Sequence, residues 1–325
     1  MRHYDVFNGD ADGICALHQL RLAAPRDSVL VTGAKRDIAL LEQVAAQPGD
    51  TFTVLDVSLD RNRAALLRLL GQGVAVEYFD HHFAGVIPAH AALVAHIDTG
   101  PGACTSSIVD RHLGGRHRLW AIVAAFGDNL EHTGWLLARS CGLARQQADI
   151  LRGLGQAINY NAYGQTEADL LMRPADLYRS LAPFASPFDF VATHDAPRRI
   201  AEARRRDLAL ARAAPPLREG PAGSVTVLPD AAWARRVQGE FANELAARDR
   251  ERAHALLCEC ADGWRVSVRA PVARPVGADA LCRQFAGGGG RVAAAGIDLL
   301  PRARLPEFIE AFERAFAAGS APAGR

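Results

Sequence analysis

Four apolar segments of this chain each stop in carboxylates or imidazoles, and that recurrence narrows the possible folds more than any other feature. The first segment runs into Asn8-Gly9-Asp10-Ala11-Asp12-Gly13, and a second ends in Val54-Leu55-Asp56. A third, Val74 to Phe79, ends in Asp80-His81-His82, and a later one in Phe126-Gly127-Asp128. An open parallel α/β sheet brings the carboxyl ends of its strands to one crevice, where ligands bind. Carboxylate oxygen mixed with imidazole nitrogen suits Mn²⁺, Zn²⁺ or Fe²⁺. Carboxylate-rich pairs of such ions suit phosphoryl chemistry.

Each piece alone has an ordinary reading. An aspartate at a strand end is usually a cap or turn former. A His-His pair is usually surface, and Asp10-Ala11-Asp12-Gly13 lacks the bidentate Glu of a calcium loop. Four segment ends meeting one chemical requirement together point to a metal site.

The pattern between these ends supports the parallel sheet. A strand at 3–7 leads through the acidic loop to a helix, Ile14 to Leu22. A strand at Val29 to Thr32 and a helix at Asp37 to Ala46 precede the strand ending at Asp56. A helix from Arg61 to Leu70 precedes the strand ending at Asp80. This β-loop-α alternation, about 20–25 residues per unit, predicts a doubly wound parallel sheet. After the loop Thr99-Gly100-Pro101-Gly102 a helix starts at Cys104, and the chain reads as mostly helical from Leu119 to about Leu181.

The Arg-rich stretch from Pro197 to Arg212, followed by Pro215-Pro216, reads as a solvated helical connector. Strands are expected at Ser224 to Leu228, Ala253 to Cys260 and Arg265 to Ala270, with helices at Trp233 to Ala247, Ala278 to Phe285 and Leu305 to Ala317. The tail from Gly319 reads as disordered. The organisation is thus α/β: a sheet domain at 1–190, a helical linker at 191–215 and a smaller α/β substrate domain at 216–325.

Composition suits a soluble, cytoplasmic protein. At 325 residues the chain is long enough for two cores. It has no apolar run of about 18 residues, so no membrane span is expected. A strand begins at once after Met1, leaving no room for a signal peptide. The six cysteines are scattered, and Cys258-x-Cys260 without a second pair is a poor zinc signal, so core packing is expected. A net charge of +1 lacks the basic stripe of proteins that track long nucleic acids, which favours a short substrate. The basic residues are nearly all arginine, and Lys35 is the only lysine.

In order, the blocks Asp-x-Asp-Gly, Asp, Asp-His-His and Gly-Asp resemble the DHH phosphoesterase superfamily. A second block, Phe285 to Arg291 followed by Ala294-Ala295-Gly296, resembles the glycine-rich motif of the DHH-associated C-terminal substrate domain. The two blocks together span essentially the whole chain. The resemblance implies a two-domain phosphodiesterase using two Mn²⁺ ions, with Mg²⁺ or Co²⁺ as substitutes. It implies Asp56 as the bridging ligand, with Asp12, Asp56, His81 and Asp128 on one ion and Asn8, Asp10 and Asp56 on the other. Asp80 would then orient His81, and His82 would face the substrate.

Two positions depart from the family pattern. Asn8 stands where many members have His or Asp, and a neutral amide oxygen is a weak ligand; it either weakens one ion or merely shapes its loop. Arg291 stands where many relatives have His. With the Gly288, Gly289 and Gly290 backbone and with Ser267 and Arg269 on one strand face, it resembles a substrate-end clamp. Asn159 to Gly164 reads as a helix-ending turn rather than a base-stacking platform. His132 lies within reach of Asp128, whereas His90, His96, His112 and His117 read as structural or exposed.

The expected activity is hydrolysis of short oligonucleotides or dinucleotides, with no membrane partner and the oligomeric state left open. A pyrophosphatase or exopolyphosphatase is the enzymatic alternative. A catalytically weak nucleic-acid-binding assembly factor is the alternative of another class.

Overall fold

A computed structural model describes residues 1–317, so the expected disordered tail from Gly319 lies outside the described residues. The chain divides into two compact units, Met1–Ala203 and Arg204–Arg325.

The first unit is built on a five-stranded parallel sheet. Its strands are β1 (His3–Phe7), β2 (Val29–Val31), β3 (Thr51–Leu55), β4 (Ala75–Asp80) and β5 (Leu93–Ile97), in the order β2-β1-β3-β4-β5. Alternation along β1, β3 and β4 sends Tyr4, Val6, Phe52, Val54, Val76 and Tyr78 into one core. There they meet Leu59, Leu66, Leu69 and Leu70 of α2 (Leu59–Gly71). Helix α1 (Ala11–Ala23) follows β1, and α3 (Thr105–His112), α4 (Arg118–Gly127), α5 (Glu131–Ser140) and α6 (Arg145–Asn161) follow the sheet. Two short helices, α7 (Pro174–Leu181) and α8 (Pro187–Thr193), come next. Helices α1, α4 and α6 cross closely: a Cβ on Gly127 would lie 2.4 Å from Ala11 Cβ and 2.9 Å from the Gly155 carbonyl oxygen. Only glycine permits that approach, which seats the end of α4 against the start of α1.

The expected helix from Asp37 to Ala46 is instead a single 3₁₀ turn at Leu40–Gln43. The backbone there is satisfied from outside: Asn62 of α2 donates to the Ile38 carbonyl at 2.7 Å and accepts from Leu41 N–H at 3.2 Å. Strand β5 was not anticipated; it is only half buried and carries His96, which hides its apolar pattern.

Helix α9 (Ala196–Ala213) runs through the boundary between the units. Within the second unit its later half is pinned to α10 (Ala232–Arg248) by Arg212 on Glu244, Arg204 on Glu240 and buried Asp207 on Arg236. The second sheet is mixed, in the order β10-β11-β9-β8-β7-β6. Its strands are β6 (Pro216–Gly220), β7 (Gly223–Leu228), β8 (Ala253–Cys260), β9 (Gly263–Arg269), β10 (Gly288–Arg291) and β11 (Ala294–Pro301). Val266, Val268 and Leu257 pack against Leu281 of the short α11 (Ala278–Cys282) and Phe308 and Phe312 of α12 (Leu305–Ala315). Helix α11 is shorter than the expected Ala278 to Phe285, because three-residue turns close it before Gly287 turns left-handed at φ 72°.

All six cysteines are free. Cys15, Cys104, Cys258 and Cys282 are buried as expected, whereas Cys141 is exposed after the end of α5. No helix among the described residues is long and apolar enough to cross a membrane.

Candidate metal centre

The parallel arrangement places the ends of β1, β3 and β4 side by side, and the backbone carries the register past them. Asn8 N–H donates to the Leu55 carbonyl at 3.2 Å, and Asp56 N–H to that of Phe79 at 3.0 Å. The polar residue after each strand therefore emerges beside the next. Asp56 does so in a left-handed conformation, φ 58°, which for a side chain other than glycine costs roughly 1–3 kcal/mol.

Each acid is held by a different device. Asp10 caps α1, its Oδ1 accepting from Asp12 N–H at 3.0 Å and Gly13 N–H at 3.1 Å. Asp12 points from the first turn of α1 to the start of α3, where it accepts from Thr105 and Ser106 N–H, each at 2.7 Å. Asp56 accepts from the Thr105 hydroxyl at 3.2 Å. Asp128 is the C-terminal cap of α4, set in place by the glycine crossing.

Three of these carboxylates converge on one imidazole. His81 Nε2 lies 3.3 Å from Asp56 Oδ1 and 3.9 Å from both Asp12 Oδ2 and Asp128 Oδ2. In each of the sets Asp12, His81, Asp128 and Asp56, His81, His82, one donor atom per residue lies within 4.8 Å of the others. The expected role of Asp80 toward the His81 ring is not what the geometry gives. Asp80 Oδ1 instead accepts from His82 Nδ1 at 2.7 Å and holds His81 only by its backbone N–H, at 2.9 Å.

The electrostatics describe a cluster short of positive charge. Burial, reinforced by Asp128 and Asp10, pushes the Asp12 carboxyl up to about 6. Burial and the neighbouring Asp12, Asp10 and Asp128 likewise push Asp56 well above the usual carboxylate range. A divalent cation among Asp12, Asp56, Asp128 and His81 would relieve both, and oxygen donors with one imidazole fit Mn²⁺ or a similar ion.

One cation near these acids belongs to the protein and was not singled out from sequence as a site residue. Lys35 Nζ sits 2.5 Å from Asp10 Oδ2, 3.2 Å from Asp128 Oδ1 and 3.3 Å from Asn159 Oδ1. Burial works against its charge, but Asp10 and Asp128 override that and hold the ammonium well above its ordinary range. For Asp10, too, burial opposes ionisation, yet Lys35 keeps the carboxyl below the usual range. The Asn159 to Gly164 run is the end of α6, as the turn reading had it, and its Ala162 carbonyl accepts from Lys35 N–H at 3.0 Å.

Of the histidines read as structural, His96 stacks on Phe79 at 4.3 Å and His112 meets the same ring edge-on at 5.3 Å, buttressing the strand that leads into Asp80. His132 is exposed.

The other candidates lie in the second unit. The glycine block is an edge strand rather than a loose turn, with Gly289 paired to Gly296, which pairs in turn with Ser267. A Cβ on Gly288 would strike the Cys282 carbonyl oxygen at 1.9 Å, whereas the space beside Gly289 is open. Arg269 is engaged, donating to Asn243 Oδ1 at 2.6 Å and the Gly239 carbonyl at 3.4 Å on α10. Arg291 is exposed and has no side-chain hydrogen bond among the described residues.

No family model and no curated protein matches this sequence. Solved structures do. The exonuclease RecJ bound to manganese superposes with a TM-score of 0.64 at 20% sequence identity, covering 99% of this chain and 91% of that one. RecJ of Thermus thermophilus in complex with Mn²⁺ gives a TM-score of 0.58 at 21% identity over 99% of this chain, which spans 53% of that protein. A pGpG-specific phosphodiesterase from Vibrio cholerae gives 0.53 at 14% identity, covering 98% of this chain and 100% of that one. At these identities the likeness is one of fold, and this chain has the fold of RecJ and of DHH-domain proteins.

Proposed function

We propose that this protein is a metal-dependent phosphodiesterase acting on short oligonucleotides or dinucleotides. The observation that carries the reading is the convergence of Asp12, Asp56 and Asp128 on His81 Nε2, all within 3.9 Å. Those four residues would hold a divalent ion, with Mn²⁺ the preferred candidate. When bound, such an ion stabilises charge on phosphoryl oxygens and lowers the pKa of a coordinated water.

The remaining residues supply positioning and proton handling. Thr105 and Ser106 fix both oxygens of Asp12, so its ligand geometry is set before anything binds. His82 donates from Nδ1 to Asp80, which favours its protonated form, and as an imidazolium it would present Nε2–H to a phosphate or leaving oxygen. We assign substrate recognition to the second unit, with Arg291 and the Gly288, Gly289 and Gly290 backbone as phosphate contacts and Ser267 and Arg269 beside them. The near-neutral charge supports a short substrate. The likeness to a RecJ exonuclease and a pGpG-specific phosphodiesterase supports the same substrate class.

The test is a Mn²⁺-supplemented panel of di- to pentanucleotides, cyclic dinucleotides, phosphoadenosine phosphate, pyrophosphate and polyphosphate. Turnover of the short phosphodiesters, abolished by chelation, is the expected result. Turnover of pyrophosphate or polyphosphate alone, or of nothing, would overturn it. An exopolyphosphatase-related protein from Bacteroides fragilis, matched at a TM-score of 0.50, makes the polyphosphate arm worth running.

A further inference from the structure

Resting on that reading, we infer that the ammonium of Lys35 occupies the place of a second metal ion, so that the centre takes one divalent ion rather than two. The ligands for a second ion would be Asn8, Asp10 and Asp56, and the structure has already committed the first two. Asn8 spends both ends of its amide on backbone: Nδ2 donates to the Lys35 carbonyl at 3.2 Å and Oδ1 accepts from Asp10 N–H at 3.2 Å. Asp10 gives Oδ1 to two N–H groups of α1 and Oδ2 to Lys35.

The ammonium itself is fully matched. Its three N–H donors face three acceptors, on Asp10, Asp128 and Asn159. Its backbone is fixed at both ends, by Ala162 and by Asn8. A dication beside Asp10 would have to displace this charge or sit against it. Asp128 divides its two oxygens between the two places, Oδ1 facing Lys35 and Oδ2 facing His81.

Residue choice points the same way. Among 37 lysines and arginines this is the single lysine. An ammonium is a compact point charge with three donors, closer to an ion in shape than the planar guanidinium used everywhere else. By contrast, the oxygens that face His81 Nε2, namely Asp12 Oδ2, Asp56 Oδ1 and Asp128 Oδ2, are not the ones that hold Lys35, which takes Asp128 only through Oδ1.

The experiment is metal stoichiometry on the full chain after chelation, by titration calorimetry with Mn²⁺ and by electron paramagnetic resonance. The wild type is expected to bind one Mn²⁺ per chain and to give the signal of an isolated ion. Lys35→Met is expected to bind two, with a spin-coupled signal, and Lys35→Gln provides a second neutral variant should the first fail to fold. Two ions in the wild type would overturn the inference while leaving the metal-dependent reading intact. One ion in the wild type and in both neutral variants would also overturn it, since Lys35 would not then be what excludes the second. No binding by any of them would overturn both.

Discussion

The Asp80 carboxylate takes the imidazole of His82 at 2.7 Å and, through the same oxygen, the backbone N–H of His81 at 2.9 Å. Its other oxygen accepts from Leu59 N–H at 3.3 Å, at the start of α2. One buried acid therefore sets both histidines by different routes, leaving the His81 ring to the aspartates. The hydrogen bond to Asp80 raises the affinity of His82 for a proton against the opposing effect of burial. The two histidines, adjacent in sequence, should consequently fail in different ways.

His82→Ala is expected to lower kcat by roughly a hundredfold or more, the usual contribution of a positioned proton donor, with the Kd for Mn²⁺ little changed. His81→Ala should instead weaken Mn²⁺ binding by at least about tenfold. Calorimetry and steady-state kinetics on both variants check this. Loss of metal binding in His82→Ala with retention in His81→Ala would reverse the assignment.

Asp56→Asn should leave the fold intact and cut hydrolysis by more than about a thousandfold, because several kcal/mol of charge stabilisation is removed. Its second signature is thermal. Mn²⁺ at a hundred times its Kd should stabilise the wild type by about 2.7 kcal/mol, and this increment should vanish in the variant. The metal-free variant should be the more stable of the two metal-free proteins, since a buried carboxylate crowded by Asp12, Asp10 and Asp128 has been neutralised. Differential scanning calorimetry with and without Mn²⁺ reads both effects.

How much of this was legible follows from where each residue sits. A buried parallel strand announces itself as an apolar run, so the acids and histidines after β1, β3 and β4 could be read directly, as could Asp128 after α4. Lys35 could not, because it lies in irregular chain after β2, where a helix was expected from Asp37 onward. Thr105 and Ser106 act on Asp12 through backbone N–H groups, which any residue type supplies. The pairing of Asp80 with His82 rather than the His81 ring depends on which ring turns back toward β4, and residue order carries no record of that. Edge strand β6 was hidden for a plainer reason: Pro216-Leu217-Arg218-Glu219-Gly220 is mostly exposed and has no apolar alternation.

Stability should also depend on pH through a histidine remote from the acids. His18 is buried, with Nε2 on the Phe184 carbonyl at 2.8 Å, its ring edge-on to Trp120 and Nδ1 without a partner among the described residues. Burial pushes its pKa down to about 4, outweighing the carbonyl, which favours the charged form. The unfolded chain therefore takes up this proton first. Stability is fully present above about pH 6.5 and is lost as pH falls toward 4, by about 2 kcal/mol at pH 5. Urea midpoints for the wild type and His18→Phe at pH 7.5 and 5 test it, and the variant should lose less across the interval. Equal losses would assign the slope to other groups.

The clamp assigned to the second unit rests on Arg291, exposed on edge strand β10 beside the open space at Gly289. If its guanidinium grips a phosphate remote from the scissile bond, Arg291→Ala should raise KM for substrates bearing that phosphate. A lost charged hydrogen bond is worth roughly 1.5–3 kcal/mol, or about a ten- to hundredfold change. Substrates lacking the remote phosphate should be nearly indifferent. Arg269→Ala offers a contrast: its guanidinium already donates to Asn243 and Gly239, so its removal should cost stability through α10 before it costs recognition. Measuring kcat/KM for both substrates on the wild type and Arg291→Ala isolates the coupling in one cycle. Equal losses on the two substrates would mean that Arg291 supports the β10–β11 hairpin rather than the phosphate.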